Sequence, residues 1–100
     1  MHSLLRATAF VSMFVWEVFE LDTINAIKVR IFELCDDRKI SINKLATICG
    51  LPPSSIKNIL YGKSQNPKIK TLKIICDGLE ITLGEFFSTK EFDELEQEIK

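Results

Sequence analysis

The chain has 100 residues, 46% of them apolar and 27% charged, with 13 basic and 14 acidic side chains. That length makes one domain with a small core, and the apolar content excludes a disordered chain. Cys35, Cys49 and Cys76 are odd in number, far apart and without a C-x-x-C pair, and the single histidine is His2; this reads as reduced core thiols and excludes a histidine-based catalytic or metal site inside the domain.

Met1 to Glu20 differ from the remainder. They hold no Ile and no Lys, against thirteen Ile and ten Lys from Leu21 onward, and they carry four of the nine aromatics, Phe10, Phe14, Trp16 and Phe19. A signal peptide starts basic and ends at a small-x-small site; Arg6 and the run Ala7 to Trp16 supply the start, but no such site follows. A membrane span needs about 20 apolar residues, and Arg6, Glu17 and Glu20 interrupt this run. The other readings are an N-terminal helix or a translated leader. In the leader reading, Trp16-Glu17-Val18 is encoded TGG GAG GTN, whose GGGAGG resembles a bacterial ribosome-binding site, Phe19-Glu20 is the spacer and Leu21 is a TTG start codon. Residues 1–20 are then leader or extension, residues 21–87 a domain and residues 88–100 a tail. The gene sequence is the test: GAA at Glu17, or a Leu21 codon other than TTG or CTG, overturns the leader.

Asp22 or Thr23 caps a first helix, in which Ile24, Ile27, Ile31, Leu34 and Cys35 recur at spacings of three and four as far as about Asp37. Arg38-Lys39 follow where the helix dipole is negative. Ser41 caps a second helix, Ile42 to Cys49, with Leu45, Ile48 and Cys49 read as one apolar face and Ala46 as the small residue that lets a neighbour cross closely. Gly50 ends it, since glycine takes positive φ without a Cβ penalty. A third helix runs from Pro53, tolerated in a first turn, to Leu60, with Ile56 and Ile59 inward and Tyr61-Gly62 at its end. The polar loop Lys63-Ser64-Gln65-Asn66-Pro67 leads to a fourth helix, Ile69 to Asp77, carrying Ile69, Leu72, Ile74, Ile75 and Cys76, with Leu79 beyond it. Thr82 and Glu85 form a capping-box pair that starts a fifth helix burying Leu83, Phe86 and Phe87. Phe92, Leu95 and Ile99 give the acidic tail an apolar stripe, which fits either a sixth helix or a fraying end. Nothing alternates with period two for long, so no sheet is expected.

Two helices hinged at Gly50, the second beginning at Pro53, meet the requirements of a helix-turn-helix, whose second helix can lie in a DNA major groove. Charge points the same way. Arg38, Lys39, Lys44, Lys57, Lys63, Lys68, Lys70 and Lys73 fall in a span with no Asp or Glu, whereas Ser88 to Lys100 holds five acids and two lysines. A basic block over the motif is the footprint expected for a phosphate backbone, and a lysine-rich solvated surface is the plainer alternative.

As a set these residues resemble the Cro/C1-type (XRE-like) helix-turn-helix proteins of bacteria and phages. Over Ile27 to Phe87 the matching positions are Ile40-Ser41, Leu45-Ala46, Gly50-Leu51, Ile56, Ile59, Gly62, Asn66-Pro67, Leu72, Leu79 and Leu83, without gaps. The resemblance implies a compact, all-α, five-helix lambda repressor-like domain that binds operator DNA, usually as a homodimer. The family reads bases from the head of the third helix and one turn further along, here Pro53, Ser54 and Asn58, with Ser55 and Lys57 beside them. The Asn58 amide suits adenine. Lys57 and Lys44 suit phosphates, and Lys63, Ser64, Asn66 and Lys68 match the second phosphate-contacting segment. Where many relatives have Gln at the start of helix two, Ile42 stands here, so that contact is lost or passes to Asn43. Where some relatives bury an Arg–Glu pair, Cys35 and Leu60 stand together, an exchange of an ion pair for apolar packing.

The expected role is a cytoplasmic, nucleoid-associated repressor that is not an enzyme and needs no cofactor or metal; Tyr61-Gly62-Lys63-Ser64 lacks the first glycine of a phosphate-binding loop. The alternative is an antitoxin or other protein-binding module on the same fold, with the stripe Phe92, Leu95 and Ile99 docking into a toxin or other partner. The dimer contact is expected on helix five and the tail, since Phe86, Phe87 and Phe92 look too many for one side of so small a core.

Overall fold

A computed structural model of the chain describes residues 22–63 and 65–99; the segment 1–20 and Ser64 lie outside the described residues. Six helices and no strand are present among them: α1 (Thr23–Arg38), α2 (Ile42–Cys49), α3 (Pro53–Tyr61), α4 (Ile69–Gly78), α5 (Leu83–Phe87) and the single turn α6 (Lys90–Asp93). None is long and apolar enough to cross a membrane.

The helix starts follow the expected caps. Asp22 accepts from the Asn25 amide at 2.9 Å, and Ser41 accepts from Lys44 N–H at 3.0 Å. Thr82 and Glu85 exchange both bonds of a capping box, at 2.9 and 2.8 Å. Three of the ends, those of α1, α2 and α4, share one device. At Lys39, Gly50 and Glu80 the backbone turns left-handed, with φ of 54°, 67° and 60°. The next amide, of Ile40, Leu51 or Ile81, then reaches back five residues to Cys35, Ala46 or Cys76 O at 2.9–3.0 Å. All three of these following residues pack on the core, the hydrophobic contact that accompanies this type of helix end. Gly78, by contrast, lies inside α4. A Cβ there would stand 2.5 Å from Cys49 Sγ, so it is the close passage of α2 that requires glycine.

The core is one cluster drawn from α1 to α5, with Ile31, Leu45, Ala46, Ile56, Ile75, Cys76 and Phe86 wholly buried. Cys35 and Leu60 both lie in it, as an apolar replacement of an ion pair requires. The three thiols are unbonded, and burial pushes each of them up, which keeps them protonated.

One expected face is rotated and another is shorter than expected. The buried stripe of α2 is Ile42, Leu45, Ala46 and Cys49, at i, i+3, i+4 and i+7, which leaves Ile48 about 120° away by helix geometry and 43% exposed. On α4 the stripe is Leu72, Ile75, Cys76 and Leu79, and Ile69, in the first turn, projects past the end of the core.

In the C-terminal segment one turn, α6, is helical and carries Phe92, and the apolar stripe does not continue past it to Ile99. Phe92 joins a ring cluster, with centroids 4.9 Å from Phe87 and 6.2 Å from Phe86, while Ile99 is left exposed. Phe86 is buried and Phe87 half-buried, so the aromatics that looked surplus are used inside the chain. Beyond α6 the tail runs back along α1 until Thr23 Oγ1 donates to Glu98 at 2.7 Å. Burial and then Glu91 raise the Glu33 carboxyl above its ordinary value, against a smaller lowering by Arg30.

Arg30 ties this side together. Its Nε donates to Phe86 O at 2.8 Å and an Nη to Glu85 O at 2.9 Å, capping the end of α5, with the guanidinium 6.0 Å from the Phe86 ring centre. Only a planar fork meets both carbonyls. Arg30→Met keeps the stem and takes the side-chain donor from Phe86 O, while Glu85 O keeps the Ser88 N–H; it is expected to cost about 1 kcal/mol in urea unfolding, with Arg30→Lys recovering less than half of that loss.

Candidate nucleic-acid interface

The turn between α2 and α3 is set by three residues. Gly50 N–H reaches Thr47 O at 3.1 Å, and Leu51 packs on the core. Pro52 holds φ at −61° and accepts from Ser55 N–H at 3.0 Å. Pro53 occupies the first helical position, where its missing donor removes a group that has no partner within the helix.

Burial on α3 then decides what faces out. Ile56, Ile59 and Leu60 are buried. Ser54, Lys57 and Asn58 are exposed, and Ser55 lies half-buried at the edge of their row. Tyr61, read from sequence only as a terminator, is 67% exposed at the end of that row, three residues past Asn58 and seven past Ser54. Its spacing was the available signal.

Asn43 and Lys44 are exposed on α2, and the Asn43 carbonyl accepts from Thr47 Oγ1 at 3.1 Å. Ile42 is half-buried on the core and so unavailable as a polar contact. Lys63, Asn66 and Lys68 are exposed around the loop before α4, and Lys70 in the first turn of α4. Among the described residues Lys44, Lys57, Lys63, Lys68 and Lys70 enter no ion pair. Two members of the basic block are committed elsewhere: an Arg38 Nη donates to Leu79 O at 3.2 Å, and Lys73 pairs with Asp77. Both turn toward the end of α4.

The helix starts separate in the same way. α1, α2 and α5 have side-chain caps. α3 and α4 have none and carry no acid in the first turn. For α4 this leaves first-turn amides and the positive end of the helix dipole beside Lys68 and Lys70. No cluster of three or more His, Cys, Asp or Glu among the described residues is arranged to hold a metal ion.

A short helix packed across its predecessor, with a polar outward row and unpaired lysines on the flanking segments, defines a DNA-binding helix-turn-helix protein. The model of the Cro/C1-type helix-turn-helix DNA-binding domain matches residues 30–91, and the chain belongs to that family. A crystal structure of the prophage Lp1 protein 11 is similar at 27% identity with a TM-score of 0.65, over 73% of this chain and 96% of that one. No curated protein matches.

Two glycines bound α3, and they are there for different reasons. A Cβ on Gly62 would stand 2.3 Å from Asn58 O, whereas one on Gly50 would meet nothing within 4 Å and only the left-handed φ opposes it. Gly62→Ala is therefore expected to cost about 2–3 kcal/mol and Gly50→Ala about 1 kcal/mol in denaturant unfolding. Equal losses would contradict the clash at Asn58.

Proposed function

We propose that this protein is a sequence-specific regulator of transcription, a repressor that occupies operator DNA as a homodimer with α3 in the major groove. The observation that supports it most is the outward row Ser54, Lys57 and Asn58, held beside lysines that have no ion-pair partner among the described residues. Asn58 offers a donor and an acceptor to adenine N7 and N6, and Ser54 adds a less selective contact. Lys44, Lys57, Lys63 and Lys68, with Asn43, Ser55, Ser64 and Asn66, supply backbone contacts that set register without reading sequence. The role is binding rather than catalysis, and its place is the nucleoid.

The antitoxin reading rests on Phe92, Leu95 and Ile99 as a docking stripe. Phe92 is held in the ring cluster and Leu95 is half-buried, so the tail presents a partner with little beyond Ile99. That favours the regulator.

The test is a band-shift titration of the full chain against DNA upstream of its own gene and against random DNA, at two salt concentrations. Asn58→Ala is expected to lose about 1–3 kcal/mol of preference for the specific site while retaining random-sequence binding. Lys57→Ala is expected to weaken both DNAs alike and to lower the salt slope by about one. Equal affinity of the wild-type protein for the two DNAs overturns operator reading there.

A further inference from the structure

Phe32 on α1 is 41% exposed and Tyr61 is 67% exposed, and their rings tilt together with centroids 6.3 Å apart. Among the described residues this is the one ring pair with both members exposed. The other sides of α1 are occupied. Ile27, Ile31, Leu34 and Cys35 face the core, Arg30 faces α5 and Thr23 meets the tail. Phe32 stands on the side that remains, in a row with Lys28 one turn earlier and Asp36 one turn later. Lys28 and Asp36 form no ion pair within the described chain.

The order basic, aromatic, acidic is complementary to itself under a two-fold axis. When two copies of α1 lie antiparallel and cross at Phe32, Lys28 of each copy falls opposite Asp36 of the other, and the Phe32 rings meet on the axis. A parallel crossing would set like charges against each other. We propose that the protein dimerises through this face of α1, with Tyr61 covering the flank of the ring contact.

The proposal gives the dimer of the function proposed above a location, and its test omits DNA, so its failure leaves operator reading untouched. The oligomeric state of the full chain is measured by sedimentation equilibrium for the wild type, Lys28→Glu, Asp36→Lys, the double reversal and Phe32→Ala, with circular dichroism to verify folding. The wild type is expected to dimerise. Each single reversal creates two like-charge contacts and weakens the dimer about tenfold or more. The double reversal restores it, and Phe32→Ala loses it. A monomeric wild type, a dimer indifferent to the single reversals, or a double reversal that stays monomeric each overturns the proposal.

Discussion

The outward row of α3 is a consequence of the burial of its other side. Nine residues make about two and a half turns, and Ile56, Ile59 and Leu60 hold them against a core that includes Leu45 and Ala46. Rotation by one residue, about 100°, would carry Lys57 or Asn58 toward that core, where an unpaired charge or amide costs several kcal/mol. The helix therefore has one usable rotation. Ala46 helps to fix its depth, because with no measurable exposure there is no space for a larger side chain. Gly50 and Leu51 fix the angle through the hydrogen bonds that close α2.

Wherever an apolar stripe is long and sharply bounded, the fold is legible before any coordinates. Five of the six buried residues of α1, the caps Ser41 and Thr82, and the break at Gly50 are of this kind. The rotation of α2 is not. Ile42, Leu45, Ala46, Ile48 and Cys49 are five apolar residues in an eight-residue helix, too many to mark one stripe. Ile48 is excluded only because the neighbouring helices cover the other four. Two of the three left-handed ends were equally hidden, since Lys39 and Glu80 carry no glycine signal. A left-handed turn costs a non-glycine residue about 1–2 kcal/mol. Here it is offset by two reclaimed carbonyls and by the docking of Ile40 or Ile81. Gly78 shows the opposite case, its glycine answering to the passage of Cys49 rather than to a turn.

The site is similarly divided. Composition counts charges along the chain but does not assign partners to them. Arg38 and Lys73 belong to the basic block by position, and the structure turns both to the end of α4. Arg30 lies outside the block, and the sequence pattern assigns it no role. It reaches across more than fifty residues of sequence to cap α5, a contact no local pattern announces. Lys44, Lys57, Lys63, Lys68 and Lys70, without an ion pair among the described residues, lie on or around α3, and the acids of the tail lie by α1, beside Thr23 and Glu33. Charge segregation in the sequence thus becomes segregation in space, which can orient a near-neutral protein on a polyanion although its net charge is only −1.

The residues that hold the domain together and those proposed to read DNA scarcely overlap. Ser54, Lys57 and Asn58 contribute no side chain to the core, so their identities can change with little effect on folding. Tyr61 is the exception. It ends the outward row of α3 and touches Phe32 of α1, so the reading face and the proposed pairing face share a corner. Reading two half-sites about one helical turn of DNA apart requires a stiff link between two recognition helices. A contact seated at the end of α3, rather than on the tail, makes that link short and leaves few torsions through which register could be lost.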